Sequence, residues 1–249
     1  MSPEQILKEL IHLAHELGRE DRQLVILGEG NLSADCQDGT FWVKASGSSM
    51  AEIDENGFSR VRFEPVLEMC AWNEAPGKQV MQGLRSALLE DGMRQPSIET
   101  FLHAVCLHES EAKFIAHTHP TAVLAILSSK LGAESFMHHI FPETIPICGR
   151  APAIVPYTEP GLMLGQAVRR SLQTHFEKYG EMPKIMLMEN HGLVVLGISA
   201  REALNITRIT NKWADILLAT YALGGPKYLS SEQVDKFLHL LDEQIHKDQ

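Results

Sequence analysis

The chain has 249 residues, a formal net charge of −10 at pH 7 and 44% hydrophobic residues, which is ordinary for a globular protein with a sizeable core. Nucleic acid is an unfavourable partner for so acidic a chain, because phosphate binding requires a basic surface. The N-terminus carries charges where a leader would be apolar, no run reaches the roughly 18 apolar residues of a membrane span, and the four cysteines form no CxxC pair. We therefore expect a cytoplasmic protein with no membrane partner.

The first ninety residues predict one helix followed by a β-rich stretch. Ser2, Pro3 and Gln5 have the types and spacing of a capping box, and apolar residues recur at helical spacing until Gly18. The predicted strands are 24–27, 32–34, 40–44 and 58–63, with turns at 38–39 and 56–57 and helices at 64–70 and 78–90.

Helices and strands alternate after residue 96. The predicted helices are 98–108 (capped by Ser97), 121–129, 161–179 and 200–223, the predicted strands are 113–117, 185–188 and 193–196, and 136–158 is expected to be mixed loop and strand. The segment after 225–226 is charged and amphipathic. Without a repeat, a linker or a break in composition, residues 1–249 predict a single α/β domain with a mixed, largely antiparallel sheet between helices.

His117 and His119 stand at the end of a predicted strand. Residues i and i+2 of a strand point to the same face, so these two imidazoles can bind one metal ion such as zinc. A structural pair of histidines is the alternative, and this pattern alone leaves both open.

A polar break, Glu189-Asn190-His191-Gly192, separates two apolar strands. A histidine followed by glycine at such a break indicates a side chain directed at a site that the backbone approaches closely. The alternative is an ordinary turn, in which asparagine and glycine only bend the chain.

Glu99 falls in the first turn of a predicted helix, where the helix dipole favours a carboxylate. It is therefore either a site residue or an ordinary helix-start acid. His103 lies four residues further, on the same helix face, and we expect it to support or pack rather than to bind a metal.

Two small polar loops, 28–31 and 45–48, each follow a predicted strand, and Lys44 directly precedes the second. The backbone N–H groups of such loops can bind an anion. The first loop is not a dinucleotide fingerprint, because it lacks the third glycine and the following helix. Ordinary turns are the alternative for both.

Six stretches, taken in order, resemble the class II aldolase/adducin family. They are GEGNLS (28–33), KASGSS (44–49), PSIETFLH (96–103), HTHP (117–120), VPYTEPG (155–161) and ENHGLVV (189–195). Their order and spacing make the resemblance more specific than any single motif. It implies a single-domain α/β/α sandwich, usually assembled as a homotetramer with sites between subunits.

The resemblance also implies the residues of a site. A zinc ion, with manganese or cobalt as alternatives, would be bound by His117, His119 and His191, and Glu99 would be both a catalytic acid/base and a fourth ligand. Tyr157 would assist catalysis at an aldehyde oxygen, unless it is a buried core tyrosine. The implied substrate- and phosphate-binding residues are Gly30, Asn31, Lys44, Ser46, Gly47 and Ser97.

The sequence departs from the sugar-phosphate aldolase pattern at residue 98, and the segment 136–150 does not match that pattern either. Ile98 stands where many members have a second serine, so one hydroxyl is missing from the implied phosphate site. Either Lys44 compensates for it, or the preferred substrate differs or lacks phosphate.

The function that the resemblance implies is that of an L-fuculose-phosphate aldolase-like lyase in carbohydrate metabolism. It would reversibly cleave a ketose or ketose phosphate through a zinc-stabilised enediolate. A decarboxylase, a dehydratase or a 4-epimerase of a sugar or sugar-acid phosphate would use the same metal site. A non-catalytic adducin-like binding module is disfavoured, because that branch lacks the metal histidines and this chain keeps all three.

Overall fold

A seven-stranded sheet organises the residues that the computed structural model describes, which are 1–73 and 75–247, with 241–247 described by backbone alone. The strands are β1 (Asn31–Asp35), β2 (Thr40–Lys44), β3 (Phe58–Arg62), β4 (Phe114–Thr118), β5 (Ala153–Val155), β6 (Ile185–Met188) and β7 (Gly192–Gly197). Their order in the sheet is β3-β2-β1-β4-β7-β6-β5. Neighbouring strands are antiparallel except β5 and β6, which are parallel.

Helices cover both faces of this sheet. They are α1 (Pro3–Leu17), α2 (Phe63–Met69), α3 (Gly77–Ser86), α4 (Thr100–Glu109), α5 (Thr121–Leu127), α6 (Thr144–Cys148), α7 (Leu162–Tyr179), α8 (Ala200–Ala222) and α9 (Ser231–Lys247). One apolar core lies between the sheet and α1, α5 and α8, and a second lies between the opposite face and α2, α3, α4 and α7. The predicted α/β/α sandwich with a largely antiparallel sheet is confirmed, whereas the single-domain organisation of 1–249 stays a prediction.

Successive side chains of β4 point alternately into the two cores. Phe114 and Ala116 pack in the core with α1, α5 and α8, whereas Ile115 packs in the core with α4 and α7. His117 has the parity of Ile115 and therefore points to the α4 side. No described helix combines the length and the hydropathy that a bilayer span requires.

The predicted strand at 24–27 is wrong. Ile26 and Leu27 are 63% and 84% exposed, and Leu27 has a left-handed backbone with φ of 53°. The carbonyl of Leu24 instead accepts a hydrogen bond from the His119 amide, at 2.9 Å, so this loop runs beside the chain that follows β4. A short apolar run cannot by itself distinguish a buried strand from such a loop.

The helix predicted from residue 98 begins two residues later, at Thr100. The Ser97 hydroxyl accepts a hydrogen bond from the Glu99 amide at 3.2 Å, and the Ser97 carbonyl accepts one from the Thr100 amide at 3.0 Å. These bonds form a turn before the helix rather than the predicted N-cap, and Glu99 occupies the cap position. The segment 136–158, expected as loop and strand, also contains the short helix α6.

Candidate metal centre

Three histidines converge at one end of the sheet. His117 is in β4, His119 follows that strand directly, and His191 lies in the turn between β6 and β7. The ring nitrogens that they offer all lie within 4.8 Å of one another, and the Nε2 atoms of His117 and His119 are 3.0 Å apart. Nitrogen ligands of a tetrahedral zinc ion are roughly 3.3 Å apart. The structure thus brings together the three residues predicted to bind the metal.

Neighbouring groups orient two of these rings. His117 donates a hydrogen bond from Nδ1 to the Leu193 carbonyl at 3.0 Å, and Nδ1 of His119 lies 3.3 Å from the Glu29 carboxylate. Each ring therefore presents its Nε2 lone pair to the centre. Burial lowers the pKa of His117, and it lowers the pKa of His119 to about 3, so both are neutral at pH 7. Neutral imidazole is the form that binds metal, so the donor set fits a divalent transition-metal ion.

Glu99 lies against the histidine cluster. Its Oε1 is 3.1 Å from Nε2 of His191, its Oε2 is 3.5 Å from Nε2 of His117, and the Asn31 amide donates a hydrogen bond to Oε2 at 2.6 Å. Burial alone would raise the pKa of Glu99, but the adjacent histidines, whenever they are protonated, and the hydrogen bonds with His191 and Asn31 outweigh burial and hold the pKa below its ordinary value. The carboxylate is therefore ionised at neutral pH and close enough to act beside a bound metal or to bind it.

The turn that carries His191 has a demanding geometry. Asn190 has φ of 53°, a left-handed conformation that asparagine tolerates better than most residues. The His191 amide donates to the Met188 carbonyl at 3.1 Å and closes the turn. The segment is thus a tight hairpin turn, and it also places His191 beside the other two histidines.

Gly192 is expected to be intolerant of a side chain. A Cβ at this position would lie 2.7 Å from the Thr118 carbonyl oxygen and 3.0 Å from the His119 ring. Gly192→Ala should therefore lower the free energy of unfolding by about 1–3 kcal/mol and weaken metal binding. Denaturant unfolding and metal titration of the purified variant would measure both effects. Gly77→Ala is the control, because nothing lies within 4 Å of the added methyl group there; equal stability of the two variants would contradict this packing argument.

The predicted anion-binding residues come from three adjacent segments. The Asn31 amide lies 3.4 Å from the Ser97 hydroxyl, and the Ser97 amide donates to the Lys44 carbonyl at 3.2 Å. Gly30 directly precedes Asn31, with φ of 67°. The Ser46 amide donates to the Gln95 carbonyl at 3.0 Å, which ties the second loop to the segment before α4. These contacts place the loops beside Glu99.

Gly47 forms the outer part of the second loop. Its φ is 76°, a left-handed conformation that favours glycine, and nothing lies within 4 Å of where its Cβ would be. The backbone of this loop is therefore open on its outer side.

Lys44 is a buried cation, with only 2% of its surface exposed. Its ammonium donates to the Gly28 carbonyl at 3.1 Å and forms no ion pair with a described carboxylate. Burial lowers the pKa of Lys44 to about 8, partly opposed by the negative charge of Glu99. A buried charge without a counter-ion is unfavourable, so its presence here suits a site that receives an anion.

Two further residues contact the site without having been predicted. Arg94 donates to the Ser48 hydroxyl at 2.8 Å and to the Ser46 carbonyl at 3.0 Å, so it braces the second loop. Glu29 orients His119. Glu29 lies within the matched stretch GEGNLS, whereas Arg94 lies in an irregular segment that gives no pattern in the sequence.

Tyr157 lies in the loop between β5 and α7 and is 62% exposed. The alternative of a buried core tyrosine is therefore wrong, and its hydroxyl has no hydrogen-bond partner among the described residues. The structure does not bring it into contact with the three histidines, and its catalytic role stays a prediction. Ile98 is 40% exposed and lies beside Gly161. A Cβ added at Gly161 would lie 3.2 Å from Cγ1 of Ile98.

Comparisons with known proteins agree with this architecture. An uncharacterized oxidoreductase, YuxG, from Bacillus subtilis is 27% identical over 199 residues, which are 77% of this chain and 26% of that protein. The chain thus spans about a quarter of YuxG. The 3-oxo-tetronate 4-phosphate decarboxylase of Pectobacterium atrosepticum is 25% identical over 211 residues, or 82% of this chain and 80% of the decarboxylase.

A solved structure of an L-fuculose 1-phosphate aldolase superposes with a TM-score of 0.73 and 18% identity, covering 96% of each chain, which shows the shared fold. The family model described as Class II Aldolase and Adducin N-terminal domain matches residues 8–218. The chain therefore belongs to the class II aldolase and adducin family.

Proposed function

We propose that this chain is a metal-dependent, class II aldolase-type lyase that reversibly cleaves a ketose or ketose phosphate. The observation that carries the proposal is the Glu99 carboxylate, 3.1 Å and 3.5 Å from two histidines of a three-histidine cluster. His117, His119 and His191 would bind the metal. Zinc is the proposed ion, with manganese or cobalt as alternatives, because imidazole ligands accept several divalent metals.

Aldol cleavage requires one proton to move from the C4 hydroxyl of the substrate to C3. As the hydroxyl proton leaves, C4 becomes an aldehyde, the C3–C4 bond breaks, and its electron pair remains with C3. The metal, when bound, supplies a Lewis acid for the negative charge that develops on the substrate oxygens. Glu99 is the proposed acid/base at C3, and Tyr157 is proposed to assist at the aldehyde oxygen.

The loops beside Glu99 are the proposed binding site for the substrate phosphate. Backbone N–H groups, hydroxyls and one buried ammonium would surround the anion. The proposed residues are Gly30, Asn31, Lys44, Ser46, Gly47 and Ser97. Ile98 offers no hydroxyl to the phosphate. The charge of Lys44 is therefore proposed to contribute a larger share of the binding free energy than it would if residue 98 were a serine.

Lys44→Met is expected to weaken the binding of an anionic substrate and, at the same time, to stabilise the folded protein. Loss of the ammonium should raise KM for an anionic substrate by about 10- to 100-fold with a smaller change in kcat. Loss of a buried, unpaired charge should at the same time raise the free energy of unfolding at pH 7, on the order of 1 kcal/mol. Steady-state kinetics and denaturant unfolding measure both, with the exposed Lys8→Met as the control. An unchanged KM, or a less stable variant, would contradict this role.

The titration of Lys44 gives these effects a pH dependence. The amine is charged below its pKa of about 8, so KM for an anionic substrate should rise above that pH. Between about pH 8 and the ordinary lysine pKa near 10.4, the unfolded chain binds more protons than the folded chain. Stability should therefore rise with pH across this window through Lys44, and Lys44→Met should lack that contribution.

Decarboxylation is the second candidate function. It is favoured by the similarity to the Pectobacterium decarboxylase, which covers 82% of this chain. Loss of carbon dioxide from a 3-oxo acid also leaves an electron pair on the carbon beside a carbonyl, so Glu99 could protonate that carbon in the same way. A dehydratase or a 4-epimerase of a sugar or sugar-acid phosphate remains an alternative at this site.

One assay separates these reactions. The zinc-loaded protein is offered ketose 1-phosphates, free ketoses and 3-oxo acid phosphates, while ketone, aldehyde and carbon dioxide release are followed with and without a chelator. Chelator-sensitive aldehyde release supports the aldolase, and carbon dioxide without aldehyde favours the decarboxylase. Release of neither by metal-loaded protein would contradict carbon–carbon cleavage. The homotetramer and the cytoplasmic location stay predictions, and light scattering of the purified protein tests the first.

A further inference from the structure

Four polar side chains on β1 and α4 face each other behind the histidine cluster. Asn31 and Ser33 are two residues apart on β1, so they point to the same side of the sheet. Glu99 and His103 are four residues apart at the start of α4, so they share one helix face. The two residues of each pair are separated by similar distances, roughly 6.6 Å along the strand and roughly 6 Å along the helix axis. The two pairs therefore lie side by side.

Hydrogen bonds connect these four residues in a single chain. The Ser33 hydroxyl lies 2.7 Å from Nδ1 of His103, and Nε2 of His103 is in hydrogen-bond contact with Oδ1 of Asn31. The Asn31 amide nitrogen then donates to Oε2 of Glu99 at 2.6 Å. All four residues are at most 7% exposed, so water does not replace these partners.

Only one arrangement of protons satisfies every member. An ionised Glu99 can only accept, so Asn31 turns its amide nitrogen toward the carboxylate and its carbonyl oxygen toward His103. That carbonyl oxygen also only accepts, so Nε2 of His103 carries the proton. Burial lowers the pKa of His103 to about 3, which keeps the ring neutral. Its Nδ1 is therefore an acceptor, and the Ser33 hydroxyl donates to it.

We propose that the chain Ser33–His103–Asn31 fixes the orientation of Glu99 for proton transfer, and that His103 is a positioning residue. The inference rests on the proposed function, because only a reaction that uses Glu99 gives its orientation a consequence for turnover. Reversal of the Asn31 amide would place two oxygens against each other. The neutral Nε2–H tautomer of His103 prevents that reversal.

The register of the sheet connects this chain to the candidate metal centre. Asn31 pairs with His117 across β1 and β4, so the amide that contacts Glu99 lies one strand from a proposed metal ligand. His103 itself is completely buried and does not belong to the three-histidine cluster. Among the described residues, its side chain forms hydrogen bonds only with Ser33 and Asn31, so its hydrogen-bonded connection to Glu99 runs through Asn31.

The tautomer can be measured without any substrate. In the zinc-loaded protein with 15N-labelled histidine, two-bond proton–nitrogen couplings distinguish the two neutral tautomers and the imidazolium form. We expect His103 to be the neutral Nε2–H tautomer at about pH 7. An Nδ1–H tautomer or an imidazolium would overturn the proposal.

Two variants test the consequence for turnover. The amide nitrogen of His103→Gln takes the place of Nε2 and can still donate to Asn31, whereas that of His103→Asn takes the place of Nδ1 and leaves Asn31 without a donor. We expect His103→Gln to keep kcat within about tenfold and His103→Asn to lose about 100-fold, with KM, metal content and Tm similar in both. Equal losses of kcat would mean that His103 only fills space, and would overturn the proposal.

A failure of the proposed function has a different signature. If the wild-type protein converts no substrate, hydrogen exchange of the Asn31 side-chain amide still reports on the chain. Slow exchange in the wild type and His103→Gln, with fast exchange in His103→Asn, would support the positioning of Asn31. The same exchange rate in all three would overturn it.

Discussion

His191→Ala is expected to lower metal affinity by at least about a hundredfold and kcat/KM by at least about a thousandfold. Loss of a residue that hydrogen-bonds to a metal ligand lowers metal affinity about 10- to 100-fold, and loss of a ligand itself should lower it at least as much. The fall in kcat/KM corresponds to about 4 kcal/mol of transition-state stabilisation, the amount expected when a Lewis acid is lost. Metal content after dialysis against buffered zinc, together with the cleavage assay, measures both.

His191 is a better test than His117, because His117 is fully buried, so its loss would leave a cavity and remove the hydrogen bond to the Leu193 carbonyl. His191 lies in a turn, but its removal also takes a partner from the buried Glu99 carboxylate, so the free energy of unfolding of the metal-free protein should fall by about 1–3 kcal/mol. His12→Ala, at an exposed position of α1, controls for the loss of a histidine. Full metal content in His191→Ala would refute the three-histidine centre.

Local periodicity predicted much of the fold and part of the site. The alternation of side chains along a strand predicts that His117 and His119 share one face, although it leaves open whether they bind a metal. The capping box of Ser2 and Gln5 is present as predicted, with the Gln5 amide 3.3 Å from the Ser2 hydroxyl. Both features depend on residues close in the chain. For the same reason, the turn of β6 and β7 was recognised from its asparagine and glycine.

Features that depend on distant residues could not be predicted in this way. The contact between Asn31 and Glu99 joins residues 68 positions apart, and that between His103 and Asn31 joins residues 72 apart. Nothing in either segment alone indicates that β1 lies against α4. The misassigned strand at 24–27 has the same origin, because its backbone partner is the distant amide of His119.

Glu99→Gln is expected to lower kcat by about 100- to 10,000-fold while the protein keeps most of its metal. The amide has nearly the shape of the carboxylate, and its oxygen can still accept the hydrogen bond from Asn31. It cannot take up and return a proton, so the proposed step at C3 loses its acid/base. The three histidines remain, and metal affinity should therefore fall much less than in His191→Ala. Metal content, kcat and KM of the variant measure these effects.

The relation between these losses distinguishes the two roles of Glu99. If the metal is lost together with activity, Glu99 is mainly a fourth ligand, and the acid/base assignment fails. If kcat is unchanged in a metal-loaded variant, the carboxylate has no part in proton transfer and the aldolase mechanism fails at its central residue. Glu177→Gln, at an exposed position of α7, shows what loss of a carboxylate outside the site does. A low kcat at full metal content, with the control unaffected, is the result that the geometry of Glu99 beside His117 and His191 predicts.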